Sequence, residues 1–489
     1  MVSGTGGTLC YSVSFHDEEV IAPSEMGIVL DGVTLGQHAS LKLVSSRQIN
    51  EEYPTRGIHS TARCNCTEYV YDVKDAQADF QLQMRVFDDG VAFRYVFDGE
   101  SPVRVNSELT TFRVPANTPV WFFERTDSDI VSSLNPAPDS KLFADTGWIK
   151  PGRSVWSWWS KCDDYLTMPL EKHFVDAARE LGYEYTLIDE EWEKWTDKWT
   201  NLQEICGYAH KNGVNVLVWK HADELNIPEG NYGVMASFLD SIKTAGADGI
   251  KIDFMNSEAK SLIDFDVKAL QFCAERRLLV DFHGCQKPSG ESRTYPNELT
   301  REGIRGLELN RMDRPLSPNH NVALVFTRCI LGNADYTPIG FTRPGPTTFA
   351  HQLATAFAFT SPLTVVGEHV DVLLKDERVA PMLPLIKALP TAWDETVVLP
   401  QSRVGSLALL ARRSGDDWYV VALNGDKAQT VSVSTSPFLE SGEWNAYAVY
   451  DNSSDPAKVE VIEADFSGQQ TVSLPLAAGG GCVAKLTKK

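Results

Sequence analysis

From about residue 8 to 150 the chain runs in short alternating segments, among them LQMRVF, VAFRYVF and LTTFRV, broken by the turns DDG and DGE. Apolar and polar residues alternating with period two between turn formers predict antiparallel strands, here a β-sandwich. From Val155 the pattern changes. Apolar runs (VWSWW, YTLIDEEW, VNVLVWKHAD, GIKIDFM, RLLVDFHG and GLELN) take turns with stretches of helical period such as PLEKHFVDAARELG, NLQEICGYAHKNG and SLIDFDVKALQFCAERR. Strand and helix in strict alternation over about 230 residues predict a parallel α/β fold, most economically a (β/α)8 TIM barrel. After about Pro390 the alternating pattern returns (SLALLARR, WYVVALNG, TVSVST, WNAYAVY) and predicts a small antiparallel β-domain. The expected organisation is therefore a β-sandwich over 1–150, a barrel over 151–390 and a C-terminal β-domain over 391–489.

A chain of 489 residues with 43% hydrophobic residues is too long for one core and has ample material for several. A formal charge of −21 repels nucleic acid and anionic membrane surfaces, so the expected partner is an uncharged or cationic ligand. No apolar run reaches the ~20 residues that span a bilayer. The start, MVSGTGGTLCYSVSFHDEE, has neither a basic nor an apolar leader segment, which fits a cytoplasmic chain or a periplasmic or secreted one whose leader has been removed. Nine scattered cysteines lack zinc-site spacing and read as reduced core thiols.

The barrel pattern gives the polar residues a place. Catalytic groups of such barrels sit at the C-terminal ends of the strands. There this chain carries Trp158 and Trp159, then Asp189, Glu190, Glu191 and Trp192, then His221 and Asp223, then Lys251 and Asp253, then His283, then Glu308. Any one of these acids could cap the following helix or sit in a packing ion pair. Six strand ends in succession point to a site. Lys251 and Asp253 are two apart on one face of a strand that should be apolar on both, a cost that packing alone does not repay. Tryptophans beside carboxylates suit sugars, whose C–H faces are apolar and whose edges carry hydroxyls.

The strings SVWSWWS, YTLIDEEWEKW, GIKIDFMNSE and FHGCQKPSGESRTYPNELTREGIRGLELNR resemble glycoside hydrolase family 97, as does the order β-sandwich, barrel, β-domain. The stretch from Lys287 to Asn297 is the most specific part. The resemblance covers the barrel and both flanks, and the N-terminal region is shorter than the family's usual one. The family contains inverting α-glucosidases, retaining α-galactosidases and a β-L-arabinopyranosidase activity. Inverting members carry a water-activating glutamate directly after the histidine that matches His283; here the residue is Gly284. The resemblance therefore implies the retaining branch and α-galactosidase activity, with Asp253 as nucleophile and Glu308 as acid/base. Retention requires the two carboxyl groups about 5–5.5 Å apart, inversion roughly 6.5–9.5 Å.

The resemblance also implies sugar-binding roles for His221, His283, Lys251, Asp189 and Glu190, with Trp158 or Trp159 as stacking platform. Asp223 stands where inverting members have a second glutamate, and is a sugar-binding residue or an outside candidate for a base. Family members bind Ca²⁺ near the acid/base, which implies Glu302 and Glu308 as ligands, with Glu108 or Glu124 as a further one. Arg301 and Arg305 nearby equally permit a plain ion-pair network there. Arg293 and Tyr295 belong to the specific stretch and can serve simply to shape its loop, and Cys285 has no general base in its motif. Rival readings are an aldolase using Lys251 as a Schiff base, which the adjacent acids oppose, and a non-catalytic glycan-binding protein, which would have no use for Asp253 and Glu308.

Overall fold

The computed structural model describes residues 1–98, 103–121, 142–161 and 166–489. The chain divides into two compact units: residues 1–54 with 61–126, and residues 55–60 with 127–489. The first is all antiparallel. Its five-stranded sheet is built round the long hairpin of Ala39–Pro54 and Thr61–Lys74, beside two three-stranded sheets. Leu9, Tyr11, Met26, Leu35, Val73, Phe80 and Leu82 supply its core.

The second unit holds a seven-stranded parallel sheet. Its strands are β1 (Gly152–Trp156), β2 (Tyr185–Ile188), β3 (Asn215–His221), β4 (Gly249–Asp253), β5 (Leu279–Phe282), β6 (Glu298–Arg301) and β7 (Leu363–Val366). The order is β6-β5-β4-β3-β2-β1-β7, so the last strand returns beside the first and the sheet curls into a TIM barrel. Helices α1 (Met168–Leu181), α2 (Lys198–Lys211), α3 (Glu229–Ala245), α4 (Lys260–Glu275) and α5 (Phe349–Ala358) follow in chain order. α1 begins where Thr167 accepts the Leu170 N–H and Pro169 occupies the first turn; it ends at Gly182, whose φ of 74° a side chain would resist.

Two expectations are corrected here. The run GLELN is not the sixth strand: Glu308–Arg311 is a short helix, and the sixth strand is Glu298–Arg301. That strand lacks an apolar run because its polar ends satisfy each other, Arg301 Nε donating to Glu298 Oε1 at 2.6 Å with both side chains buried. The eighth position of the barrel is held by an irregular segment. Asp335 N donates to Arg301 O of β6 (2.9 Å), Ala334 N to Thr360 O (3.0 Å), and Gly367 N to Pro338 O (3.0 Å). Positive φ at Thr337 (52°) and Ile339 (67°) keeps this segment from forming a strand.

A six-stranded antiparallel sheet lies C-terminal to the barrel, from Glu395–Val398 to Gly481–Lys488 in chain order. All ten residues of α5 are buried, because the sheet strands Asp417–Asn424 and Gly481–Lys488 cover it. Thr348 Oγ1 donates to Asp451 Oδ1 (2.6 Å), and the His351 ring contacts Gly480 O through Nδ1 (2.9 Å). Among the described residues no helix is long and apolar enough to cross a membrane.

Candidate active site

Register sets the site in layers. Trp219, Lys251, Asp281 and Thr300 are neighbours across β3 to β6; His221 pairs with Asp253 two residues further on, and His283 continues that level by donating its backbone N–H to Ile252 O (2.8 Å). Alternation along β4 sends Ile250 and Ile252 to one side and Lys251 with Asp253 to the other. Lys251 is 2% exposed and is compensated there: Nζ lies 3.1 Å from Asp189 Oδ2, 4.0 Å from Asp253 Oδ2 and 4.4 Å from the centre of the Trp156 ring. Burial opposes its charge, but Asp189, Asp253 and Glu308 hold its pKa above the ordinary lysine value. Asp189 is itself fixed by Trp156 Nε1 (2.8 Å) and the Glu190 N–H (2.9 Å).

Both oxygens of Asp253 are held by donors. Oδ2 accepts from Trp219 Nε1 (3.0 Å) and Oδ1 from the Phe254 N–H (2.7 Å). Burial would raise its pKa, but the Lys251 and His283 charges and these two hydrogen bonds outweigh burial and keep it below the usual carboxylate range. Asp253 is thus ionised and aimed.

Gly284 lies directly beside it with φ 53°. A Cβ there would stand 2.8 Å from Phe254 N, 2.9 Å from its Cα and 3.1 Å from Asp253 Oδ1. No side chain enters that space without moving the end of β4.

The second carboxyl cluster faces His283. Its Nδ1 lies 3.7 Å from Glu308 Oε1 and 3.8 Å from Glu302 Oε2, while Nε2 contacts Asp335 Oδ2 at 2.9 Å. Glu302 also accepts the Gly284 N–H at 2.8 Å. Burial and the Glu302 charge push the Glu308 carboxyl up to about 7. Burial also raises Glu302. Burial and Lys251 disfavour a charged His283, yet Glu302, Asp281 and Asp335 raise its pKa well above the ordinary value. Beneath it Asp281 is fully buried, and burial and the neighbouring Asp335 push its carboxyl well up.

His283, Glu302 and Glu308 offer ligand atoms within 4.8 Å of one another, and so do Asp281, His283 and Asp335. The first group, with two carboxylates open to ligation, fits a hard divalent cation completed by water. Neither arginine neutralises these glutamates: Arg301 pairs with Glu298 and lies 3.7 Å from Asp266, and Arg305 is exposed. Glu108 lies in the other unit, exposed, accepting the Thr110 N–H (3.0 Å); Glu124 falls outside the described residues.

Other expected residues stand apart from this geometry. Trp159 is 2% exposed within the core and offers no face to a ligand. Trp158 is half-buried and stacked on Trp156 (5.4 Å, 20°), with the Arg311 guanidinium 5.3 Å from its ring centre. Glu190 and Asp223 are exposed, and Asp223 contributes its backbone N–H to His221 Nδ1 (3.2 Å). The Cys285 thiol donates to Phe282 O (3.3 Å) and burial pushes its pKa well up, so it is no nucleophile. Tyr295 is fully buried and accepts from Gln271 Nε2 (3.2 Å), a packing role.

The sequence reading missed Trp219, Phe254, Asp281 and Asp335. Asp281 was the findable one, since it precedes His283 by two as Lys251 precedes Asp253.

Known proteins share this arrangement of domains. Residues 148–304 match the family described as "Glycoside hydrolase 97", residues 1–139 "Glycosyl-hydrolase 97 N-terminal" and residues 392–487 "Glycosyl-hydrolase 97 C-terminal, oligomerisation". A probable retaining alpha-galactosidase of Streptomyces bingchenggensis is 27% identical, with 99% of this chain and 89% of the relative covered. A retaining alpha-galactosidase of Bacteroides thetaiotaomicron is 29% identical, with 90% and 88% covered. Among solved structures, a glycoside hydrolase family 97 enzyme from Pseudoalteromonas sp. strain K8, in complex with acarbose, superposes with a TM-score of 0.82 at 20% identity, covering 100% of this chain and 98% of that one. A beta-arabinopyranosidase gives the same TM-score of 0.82 and 20% identity, covering 99% and 98%. These structural likenesses speak to the fold. Three matches in succession, in the family's own order and reaching from one end of the sequence nearly to the other, make this chain a member of glycoside hydrolase family 97.

Proposed function

We propose that this chain is an exo-acting retaining α-galactosidase that works through a covalent glycosyl-enzyme. The observation that carries the reading is Gly284: the place next to His283 has no base and no room for one, while the adjacent Asp253 is held ionised. In the first step Asp253 attacks the anomeric carbon, forming an ester bond as the glycosidic C–O bond breaks. Glu308, whose carboxyl is pushed up to about 7, gives its proton to the departing oxygen. In the second step Glu308 takes a proton from water, which attacks the same carbon from the face the leaving group vacated. The ester breaks, Asp253 returns as carboxylate, and the configuration is retained.

Lys251 and Asp189 form a buried ion pair next to the nucleophile, and they are assigned with His221, which pairs with Asp253 across β3 and β4, and His283 to the binding of the sugar. Calcium is the expected cation at Glu302 and Glu308; when bound it would supply positive charge beside the leaving oxygen. The galactose assignment is supported by the two relatives, both described as retaining alpha-galactosidases.

The test is proton NMR of the anomeric signal during early hydrolysis of an aryl α-galactoside, with the α-glucoside alongside. α-Galactose appearing first supports the mechanism, and loss of turnover in Asp253→Ala with rescue by azide identifies the nucleophile. β-Galactose appearing first overturns it, and turnover of the glucoside alone overturns the choice of sugar.

A further inference from the structure

Sugar pockets need an apolar face against the C–H surface of the ring, and the tryptophans near these strand ends are already engaged. Trp156 lies against Lys251 and Trp158, Trp158 against Arg311, and Trp159, Trp192 and Trp219 are at most 4% exposed. Phe254 is different. It follows the nucleophile directly and is 45% exposed. Its backbone stands at φ 65°, a left-handed conformation that a bulky side chain rarely adopts, in a turn where Asn256 (φ 52°) and Gly284 (φ 53°) are also left-handed. Asn256 N donates to Gly284 O (2.5 Å) and fixes the turn.

A strained position filled by a large ring that leaves nearly half its surface in solvent returns only part of its apolar area to folding. Glycine would hold the same turn with less strain. The ring itself is nevertheless placed with order: it stacks parallel on His221 (5.1 Å, 13°) and meets Trp219 edge-on (6.3 Å, 79°). Trp219 in turn donates to Asp253.

We propose that Phe254 is the aromatic platform of the sugar pocket, its free surface packing against C–H groups of the terminal sugar while His221 supports it from the other side. This rests on the retaining galactosidase reading above. The kink at Phe254 then has two products: the N–H that holds Asp253 Oδ1, and a flat apolar surface beside the reacting carbon.

The test compares Phe254→Gly, which keeps the left-handed backbone and its N–H, with Phe254→Tyr, which keeps the ring. Binding of a galactose-configured iminosugar is measured by calorimetry, alongside kcat, KM and the melting temperature. Phe254→Gly is expected to bind the iminosugar at least tenfold more weakly and to raise KM, with a melting temperature no lower than the parent's. Phe254→Tyr should restore binding to within about threefold. Unchanged iminosugar affinity in a folded Phe254→Gly overturns the inference. The product configuration of the parent enzyme is read in the same series: inversion there would sink the underlying mechanism, whereas retention with an indifferent Phe254→Gly sinks the platform alone.

Discussion

Gly284→Ala is the most demanding test of the site's geometry. The new methyl carbon would stand 2.8 Å from Phe254 N, where ordinary contact begins near 3.4 Å, so the end of β4 must retreat by about 0.6 Å. The left-handed backbone adds about 1 kcal/mol for any side chain, and the overpacking about 1–3 kcal/mol more, for a total near 2–4 kcal/mol of stability. Activity suffers separately. The atom displaced is the donor that holds Asp253 Oδ1, and misplacing a reacting group by about 1 Å costs roughly a hundredfold, so a shift of this size lowers kcat roughly ten- to a hundredfold. Thermal melting and steady-state kinetics on an aryl α-galactoside measure the two effects. Gly284→Glu carries the same Cβ and should be no more stable, and any residual product should still be the α-anomer. Parental stability and kcat in Gly284→Ala, or efficient inverting turnover by Gly284→Glu, would refute the reasoning.

Trp219→Phe removes a hydrogen bond to a charged carboxylate, worth about 1.5–3 kcal/mol, so kcat/KM should fall at least tenfold. Because that bond helps keep the Asp253 pKa low, the acidic limb of the kcat profile should also move to higher pH if Asp253 is the nucleophile, as proposed; an unmoved limb would show that Trp219 does not tune it. As the proposed acid Glu308 must be protonated to act, so activity without a bound cation should fall as pH rises through about 7, the limb disappearing in Glu308→Gln assayed with an activated leaving group. A cation at Glu302 and Glu308 favours their ionised forms, so chelation should shift that limb upward, and a limb indifferent to chelator would count against the metal assignment. Glu171, fully buried with Ser157 Oγ donating to it at 2.8 Å, is pushed up to about 8 by burial. Its raised value means stability is lost as pH climbs from the unfolded value through the folded one, so Glu171→Gln should stabilise by about 2–3 kcal/mol near pH 7 and hardly at all near pH 4; urea unfolding at both pH values decides it.

The parts of the fold that wrote themselves into sequence are those where one physical demand acted alone. β2, β4 and β5 are buried on both faces and read as apolar runs. β6 is equally buried, but Glu298 and Arg301 satisfy each other there, and a search for apolar runs passes over it in favour of GLELN. The segment closing the barrel has no period to detect, since Thr337 and Ile339 interrupt it, and Asp335 is hidden with it. In the site, Lys251 and Asp253 are legible because a charged pair on one face of a buried strand stands out from its apolar neighbours, even though a structural salt bridge alone would also explain it. Trp219 is not, because an apolar side chain in a strand reads as core until its indole N–H is seen against a carboxylate. Phe254 stands inside the motif GIKIDFM yet carries no signal, for nothing in the letters announces a left-handed backbone.

The helix α5 decides whether the barrel can exist without the C-terminal sheet. Every one of its ten residues is buried, with the C-terminal sheet over it, and its first turn is tied to that sheet through Thr348 and His351. Severing the chain near residue 390 would strip a whole apolar helix bare, which is a route to aggregation rather than to a smaller enzyme. A shortened chain would therefore have to cover α5 with another apolar surface to stay soluble, so the C-terminal sheet serves the barrel as part of its own core.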